Sequence, residues 1–119
     1  MSASQAATTI VYEVNVEVDA DIAAAYRAWL HDHIAEILAL PGFIDARTFE
    51  VLDPSAATDR IGLCVQYRLA DNAALEAYLR DHAPRLRADG TTRFGERFRA
   101  QRRVLRESVS ASVERPSGG

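Results

Sequence analysis

The chain contains no lysine, so all fourteen of its basic residues are arginines. The absence of lysine excludes Schiff-base catalysis and the phosphate-binding lysine of a P-loop. A single cysteine, Cys64, leaves no partner for an internal disulfide and favours a reducing compartment. No apolar run approaches the roughly 18 residues of a membrane span, and the N-terminus has neither the basic nor the apolar part of a secretory signal. We therefore expect a cytoplasmic protein that does not enter a membrane.

The rest of the composition is typical of one globular domain. The 119 residues are 48% apolar and 26% charged, which suffices for a single core. The net charge of −3 argues against nucleic-acid binding. Gly42, Gly90 and Gly95 are isolated and do not form a phosphate-binding loop. The histidines and Cys64 lack the spacing of a metal site. We expect neither a cofactor nor a metal.

The clearest feature of the sequence is an internal repeat. The run Ala28–His33 (AWLHDH) returns as Ala77–His82 (AYLRDH), forty-nine residues later. The same offset matches Val16 with Val65. A half-domain that occurs twice predicts the same strand–helix unit in each half.

Alternating apolar and polar residues predict four strands. Residues 9–107 then form a single domain, and the small, polar segments 1–8 and 108–119 are expected to be flexible tails. The predicted strands are Ile10–Val18, Phe43–Leu52, Ile61–Leu69 and Phe98–Arg106.

Two helices are predicted between these strands. Pro84 lies inside the second helical pattern, where it predicts a kink or the start of a new turn. The predicted limits are a cap at Asp19 or Asp21 and a stop at Pro41–Gly42 for the first helix, and Asp71 and Asp89–Gly90 for the second.

The order β-α-β-β-α-β predicts a ferredoxin-like α+β fold, with a four-stranded antiparallel sheet and both helices on one face. The expected strand order is 4-1-3-2. Because this order places the fourth strand beside the first, Glu13 and Glu17 are expected to face Arg99 and Arg103 across the ladder.

Helical periodicity places His33 and His82 in the middle of the two buried helix faces, toward the sheet. His31 points to solvent on the same criterion. An imidazole on a buried face needs hydrogen-bond partners, because an unpaired buried polar group costs roughly 1–3 kcal/mol.

Three interpretations of these histidines stay open. They are core residues satisfied by hydroxyls or water, they are catalytic residues in a cavity between helices and sheet, or they hold a metal. In the second interpretation the imidazoles accept or donate protons for a planar organic ligand. The candidate ligand-binding residues are then the aromatic side chains Tyr12, Tyr26, Trp29, Tyr67 and Tyr78.

The opposite face of the sheet is predicted to be polar, with Asn15, Gln66, Arg68 and Gln101 beside the charged pairs. An RNA-recognition module shares the topology but stacks bases on aromatic residues at the centre of that face. This chain lacks such aromatics there, so RNA binding is not expected.

From Tyr12 to about Leu105 the chain resembles the dimeric α/β-barrel superfamily, to which antibiotic-biosynthesis monooxygenases belong. Within it, the chain is similar to a branch of unknown function, domain-of-unknown-function family 4286. The resemblance is carried by the runs His33–Phe43 (HIAEILALPGF), His82–Arg87 (HAPRLR), Arg93–Gly95 (RFG) and Arg102–Leu105 (RRVL).

This resemblance implies a homodimer whose two sheets pack face to face, with a separate cavity in each subunit. Relatives include cofactor-free monooxygenases, haem-degrading monooxygenases, isomerases and decarboxylases. The haem-degrading pattern requires an Asn, a Trp and a His around the haem. Asn15, by strand parity, points away from the helices, so this chain departs from that pattern.

The sequence thus predicts a protein that binds or converts a small aromatic or polyketide-like molecule, by cofactor-free oxidation or isomerisation. His33 is the expected proton acceptor, and His82 and the tyrosines orient the substrate. The alternatives are a ligand-binding module without catalysis and a structural dimer whose aromatic side chains fill the cavity.

Overall fold

The computed structural model describes residues 9–113. The predicted tail 1–8 and the last six residues of the predicted tail 108–119 lie outside that range. Four strands and three helices follow one another along the described chain. They are β1 (Ile10–Asp19), α1 (Ala23–Leu38), β2 (Phe43–Glu50), β3 (Arg60–Leu69), α2 (Asn72–Asp81), α3 (Ala83–Phe94) and β4 (Phe98–Arg106).

The strands form one antiparallel sheet in the order β2-β3-β1-β4, which is the predicted order read from the other edge. β1 lies at the centre, where Val14 is opposite Val65 of β3 and Arg102 of β4. The ferredoxin-like α+β fold is therefore confirmed. The strand limits differ from the predicted ones by no more than two residues.

The two predicted caps have different outcomes. Asp71 caps α2 as expected, because its Oδ1 accepts a hydrogen bond of 2.8 Å from the Ala74 amide. Asp19 and Asp21 do not cap α1, which follows a short 3₁₀ turn at Ala20–Ile22. Their carboxylates instead accept hydrogen bonds from the Arg97 guanidinium. The two carboxylates thus pair with Arg97 and do not accept hydrogen bonds from the first amides of α1.

The second predicted helix is two helices. α2 ends at Asp81 and α3 begins at Ala83, with Pro84 in its first turn. A proline there needs no amide donor, so it fits a helix start but would break a continuous helix. The prediction of a new turn at Pro84 is confirmed, and α3 continues to Phe94, four residues beyond Gly90.

The sheet has a covered face and an open face. The covered face packs under the helices and carries Tyr12, Val16, Val65 and Tyr67, which belong to the core. The open face carries the alternate residues of the same strands, and it has no helix over it within residues 9–113. The core therefore lies on one side of the sheet. The two faces offer different surroundings to the side chains that they carry.

Candidate functional site

A cavity of about 40 Å³ lies between the covered face and the helices. Its floor comes from the strands, and its walls come from α1 and from the α2–α3 pair. The volume is sufficient for one or two water molecules and well below the roughly 150 Å³ of a cavity that encloses benzene. The lining residues are Tyr12, Val14, Val16, Tyr26, Trp29, Leu30, His33, Ile37, Val65, Tyr67, Tyr78, Arg87, Gly90, Phe98, Ala100 and Arg102.

The structure brings together at this cavity all five aromatic residues that the sequence singled out. Their rings form two groups of contacting side chains. Tyr12 lies 6.1 Å from Tyr67 and 5.8 Å from Tyr78, between ring centroids. Tyr26 lies 5.5 Å from Trp29. These separations are those of favourable aromatic pairs, so the rings hold one another in place.

His33 lies in the same cavity, stacked on Trp29 with 4.4 Å between ring centroids. Trp29 is fixed in turn, because its Nε1 donates a hydrogen bond of 3.0 Å to Asp89 of α3. Gly90 allows α3 this close approach, since a Cβ there would lie 3.0 Å from the indole Cη2 of Trp29. Asp89 and Trp29 thereby orient the His33 ring.

The imidazole of His33 is chemically exceptional. Its Nδ1 is buried and has no hydrogen-bond partner among the described residues. Burial lowers the pKa of His33 below 6.5, although the Glu36 and Asp89 carboxylates act in the opposite direction. Burial therefore favours the neutral form of the imidazole. A bound group that hydrogen-bonded to Nδ1 would relieve the free-energy cost of leaving this buried nitrogen unpaired.

The other two histidines are not at the cavity. His31 is exposed on the outer side of α1, as predicted. His82 occupies the junction of α2 and α3, where its carbonyl accepts the Leu86 amide, and it is not a lining residue. The expectation that both helices present a histidine to one cavity therefore fails for His82. His82 follows the last residue of α2, and its φ of −128° leaves the helical conformation at the junction with α3.

Two lining residues were missed by sequence reasoning, Arg87 and Arg102. The Nη2 of Arg87 donates a hydrogen bond of 2.8 Å to the Tyr12 hydroxyl. The positive charge of Arg102 favours lower pKa values for His33 and for three of the buried tyrosines, Tyr26, Tyr67 and Tyr78. A signal for Arg102 existed, because alternation along β4 places it on the same face as Phe98 and Ala100.

The tyrosine hydroxyls of the cavity are neutral proton donors. Burial raises the pKa of Tyr26 and of Tyr78 to about 12, and it raises that of Tyr67 further. Neutral hydroxyls next to a neutral imidazole can orient a carbonyl group without adding charge. The cavity thus combines one proton acceptor, several hydroxyl donors and two cationic residues.

The open face is organised around Glu13, which is 3% exposed. Its carboxylate accepts hydrogen bonds from Asn15 at 2.8 Å, Gln66 at 2.9 Å and Arg103 at 2.5 Å. The bond from Arg103 is the main reason why the pKa of Glu13 falls to about 2. The expected pairing of Glu13 with Arg103 is confirmed.

The other members of this face depart from the predicted pairing in one respect. Glu17 lies opposite Arg99 in the ladder, but its carboxylate contacts Arg60 at 3.4 Å. Asn15 points to this face, as strand parity predicted, and away from the helix-side cavity. Burial raises the pKa of the Cys64 thiol, which matches a half-buried, unreactive cysteine.

Residues 9–113 contain no group of three or more His, Cys, Asp or Glu side chains placed to hold a metal ion. Over the same range, no helix is both long and apolar enough to cross a membrane.

The family model of a domain of unknown function, DUF4286, matches residues 9–108. No curated protein matches the chain. Among solved structures, a protein of unknown function from Nitrosomonas europaea is 16% identical, with a TM-score of 0.55, and the match covers 95% of this chain and 99% of that one.

Two further structures share the fold. A dimeric ferredoxin-like protein from an uncultured marine organism is 13% identical, with a TM-score of 0.54, over 87% of this chain and 99% of that one. A candidate monooxygenase from Shewanella loihica is 15% identical, with a TM-score of 0.51, over 87% of this chain and 98% of that one. At these identities the likeness establishes the fold alone.

Proposed function

The chain belongs to the domain-of-unknown-function family DUF4286, and we propose that it is an enzyme that removes a proton from a small organic molecule at the helix–sheet cavity. The observation that carries the proposal is the half-buried imidazole of His33 in the cavity wall, whose buried Nδ1 has no hydrogen-bond partner in residues 9–113. A general base must be unprotonated at the working pH and within reach of the substrate proton. The lowered pKa of His33 supports the first condition, and its place in the cavity wall supports the second.

The small volume limits what part of a substrate enters. A whole aromatic or polyketide-like molecule exceeds 40 Å³, so the substrate places its reacting end in the cavity and the remainder at the mouth. A carbonyl at that end would accept hydrogen bonds from the tyrosine hydroxyls. Proton removal next to that carbonyl leaves an enolate, which the same hydroxyls stabilise.

The enolate accounts for both reaction types predicted from the sequence. Return of the proton to a different carbon gives isomerisation. Transfer of the electron pair of the carbanion to dioxygen as co-substrate forms a carbon–oxygen bond, and return of the proton from His33 to the peroxide oxygen gives a hydroperoxide without a metal or flavin. His82 does not line this cavity, so we assign it no part in either step and propose only a structural role at the junction of α2 and α3.

The proposal is tested by hydrogen–deuterium exchange at the α-carbon of acetoacetate and of acetoacetamide in D₂O, followed by NMR. The wild-type protein should accelerate exchange above the buffer rate, and His33→Gln should reduce that acceleration by roughly 100-fold or more. His31→Gln, on the exposed side of the same helix, is the matched control and should exchange like the wild type.

Equal exchange by the wild type and by His33→Gln would contradict the proposal. Exchange no faster than in buffer with both compounds would also contradict it. Either result would favour a non-catalytic ligand-binding or structural role for the cavity.

We also propose that two copies of the chain pair through their open faces. The marine neighbour is described as dimeric, and the open face carries Phe49, a 43% exposed aromatic ring on β2. Glu13 is already paired within its own chain, so dimer formation does not bury it unpaired. Pairing would cover the face that no helix of the described chain covers.

Sedimentation equilibrium tests the dimer. We expect twice the chain mass for the wild type and a shift toward the monomer for Phe49→Asp. Ala35→Asp, on the exposed side of α1, controls for the added charge and should stay dimeric. A wild-type monomer at all concentrations would overturn this assembly.

A further inference from the structure

We propose that the cavity takes an organic anion, and that Arg87 and Arg102 bind its carboxylate or enolate oxygen. This inference rests on the proposed function, because it names the substrate class for that same site. It goes further in assigning two binding residues that neither the repeat nor the aromatic pattern indicated. The arginines of the domain differ in whether they have acidic partners.

Seven of the thirteen arginines in residues 9–113 pair with a carboxylate. Arg103 bonds Glu13, Arg68 bonds Asp45 and Arg60 lies beside Glu17 and Asp19. Arg27, Arg80, Arg85 and Arg97 form further pairs of this kind.

The other six arginines of residues 9–113 have no carboxylate within 4 Å, namely Arg47, Arg87, Arg93, Arg99, Arg102 and Arg106. Of these six, Arg87 and Arg102 line the cavity. The partner of Arg87 is the uncharged hydroxyl of Tyr12. Two positive charges beside a largely apolar cavity, without a protein anion to balance them, favour an anionic ligand.

The placement of these charges fits an enolate-forming reaction. Arg102 lies on the covered face of the edge strand β4, and Arg87 lies on α3. Both side chains are also exposed, so they stand where the cavity meets solvent. An acidic group held there leaves the adjacent carbon free to extend toward His33.

The arginines also serve the transition state. Proton removal by neutral His33 creates a negative charge on the substrate and a positive charge on the imidazole. A guanidinium near the developing enolate oxygen stabilises the first of these charges. The hydroxyl of Tyr12, which accepts the hydrogen bond from Arg87, keeps its own proton free to donate to the same oxygen.

Binding can be measured apart from catalysis, because Trp29 is the single tryptophan and lines the cavity. The probes are propionate and its uncharged isostere propionamide, titrated at pH 7 while the indole N–H resonance of Trp29 is followed by NMR. Propionate should bind at least tenfold more tightly than propionamide. Arg102→Gln and Arg87→Gln should each weaken propionate binding by about tenfold and leave propionamide unchanged.

Arg99→Gln is the matched control. It removes the same charge from the same strand, but its side chain lies on the open face. The control should bind propionate as the wild type does, which separates a local contact from a change in net charge. Thermal unfolding of each variant verifies that the fold is retained.

The outcomes distinguish this inference from the proposed function. Charge-selective binding that depends on Arg87 and Arg102 supports an anion site, whatever the exchange experiment gives. Equal binding of both probes, no effect of the arginine variants, or no change at Trp29 with either probe would overturn the inference. If His33-dependent exchange persists in those cases, the proposed proton transfer stands with a neutral substrate.

Discussion

Glu13 is buried and His33 is half-buried with a buried Nδ1, on opposite sides of the same sheet, and these two ionisable residues have opposite surroundings. Three side chains donate hydrogen bonds to Glu13, whereas Nδ1 of His33 has no partner in the described chain. A buried charge whose hydrogen bonds are all made is compatible with a stable fold. A buried polar atom without a hydrogen-bond partner lowers stability, and such atoms are kept mainly at functional sites. We infer that Glu13 stabilises the fold on the open face and that His33 serves the proposed reaction on the covered face.

Replacement of Glu13 by leucine should have the largest effect. The change leaves Asn15, Gln66 and Arg103 without their common acceptor, and we expect a loss of about 2–3 kcal/mol in the free energy of unfolding. Urea denaturation measures the loss. Glu17→Leu, on the same strand and face but exposed, should cost less than about 1 kcal/mol. Equal losses would remove the distinction between a buried network and a surface pair.

Acid should weaken the open face by protonating Glu13. The pKa of Glu13 is about 2 in the folded chain, against an ordinary value of 4.5. A lowered carboxyl pKa stabilises the fold fully above pH 4.5, and this contribution is lost as the pH falls toward 2. It amounts to at most about 3 kcal/mol. Glu13→Gln should show a correspondingly shallower fall in stability between pH 5 and 2, measured by urea denaturation at each pH.

The sequence predicted the fold well because each element has its own local signal. Strand alternation and the repeat defined the topology, and the 3.6-residue period placed His33 and Trp29 at the cavity. The repeat misled at His82, because the equivalence of the halves ends where Pro84 divides the second helix. His82 lies at the end of α2, where its backbone leaves the helical conformation, so a helical period continued through it gives the wrong direction for its side chain.

The arginines and the cavity volume were beyond the sequence for a different reason. Arg87 follows the helix break, so no periodicity measured from α2 indicates its direction. Whether seven aromatic and imidazole groups fill a space depends on their rotamers and on the helix–sheet distance, which pattern does not contain. The close contact between Gly90 and the indole ring of Trp29 likewise depends on the distance between two helices, which the sequence pattern does not contain.

The smallest expected effect is at His33, where a substitution should raise the stability of the fold, whereas the substitution of Glu13 lowers it. His33→Phe keeps an aromatic ring against Trp29 and removes the unpaired nitrogen, so we expect a gain of about 1 kcal/mol in stability together with loss of exchange activity. The gain should grow as the pH falls below about 7. The pKa of His33 is below 6.5 in the folded chain, so acid protonates the unfolded wild type first and destabilises its fold. Urea denaturation between pH 8 and 5 measures the difference in stability between the variant and the wild type. His31→Phe, at an exposed position of the same helix, controls for the replacement of an imidazole by a phenyl ring. A variant less stable than the wild type would mean that His33 is a satisfied core residue, and the contrast with Glu13 would disappear.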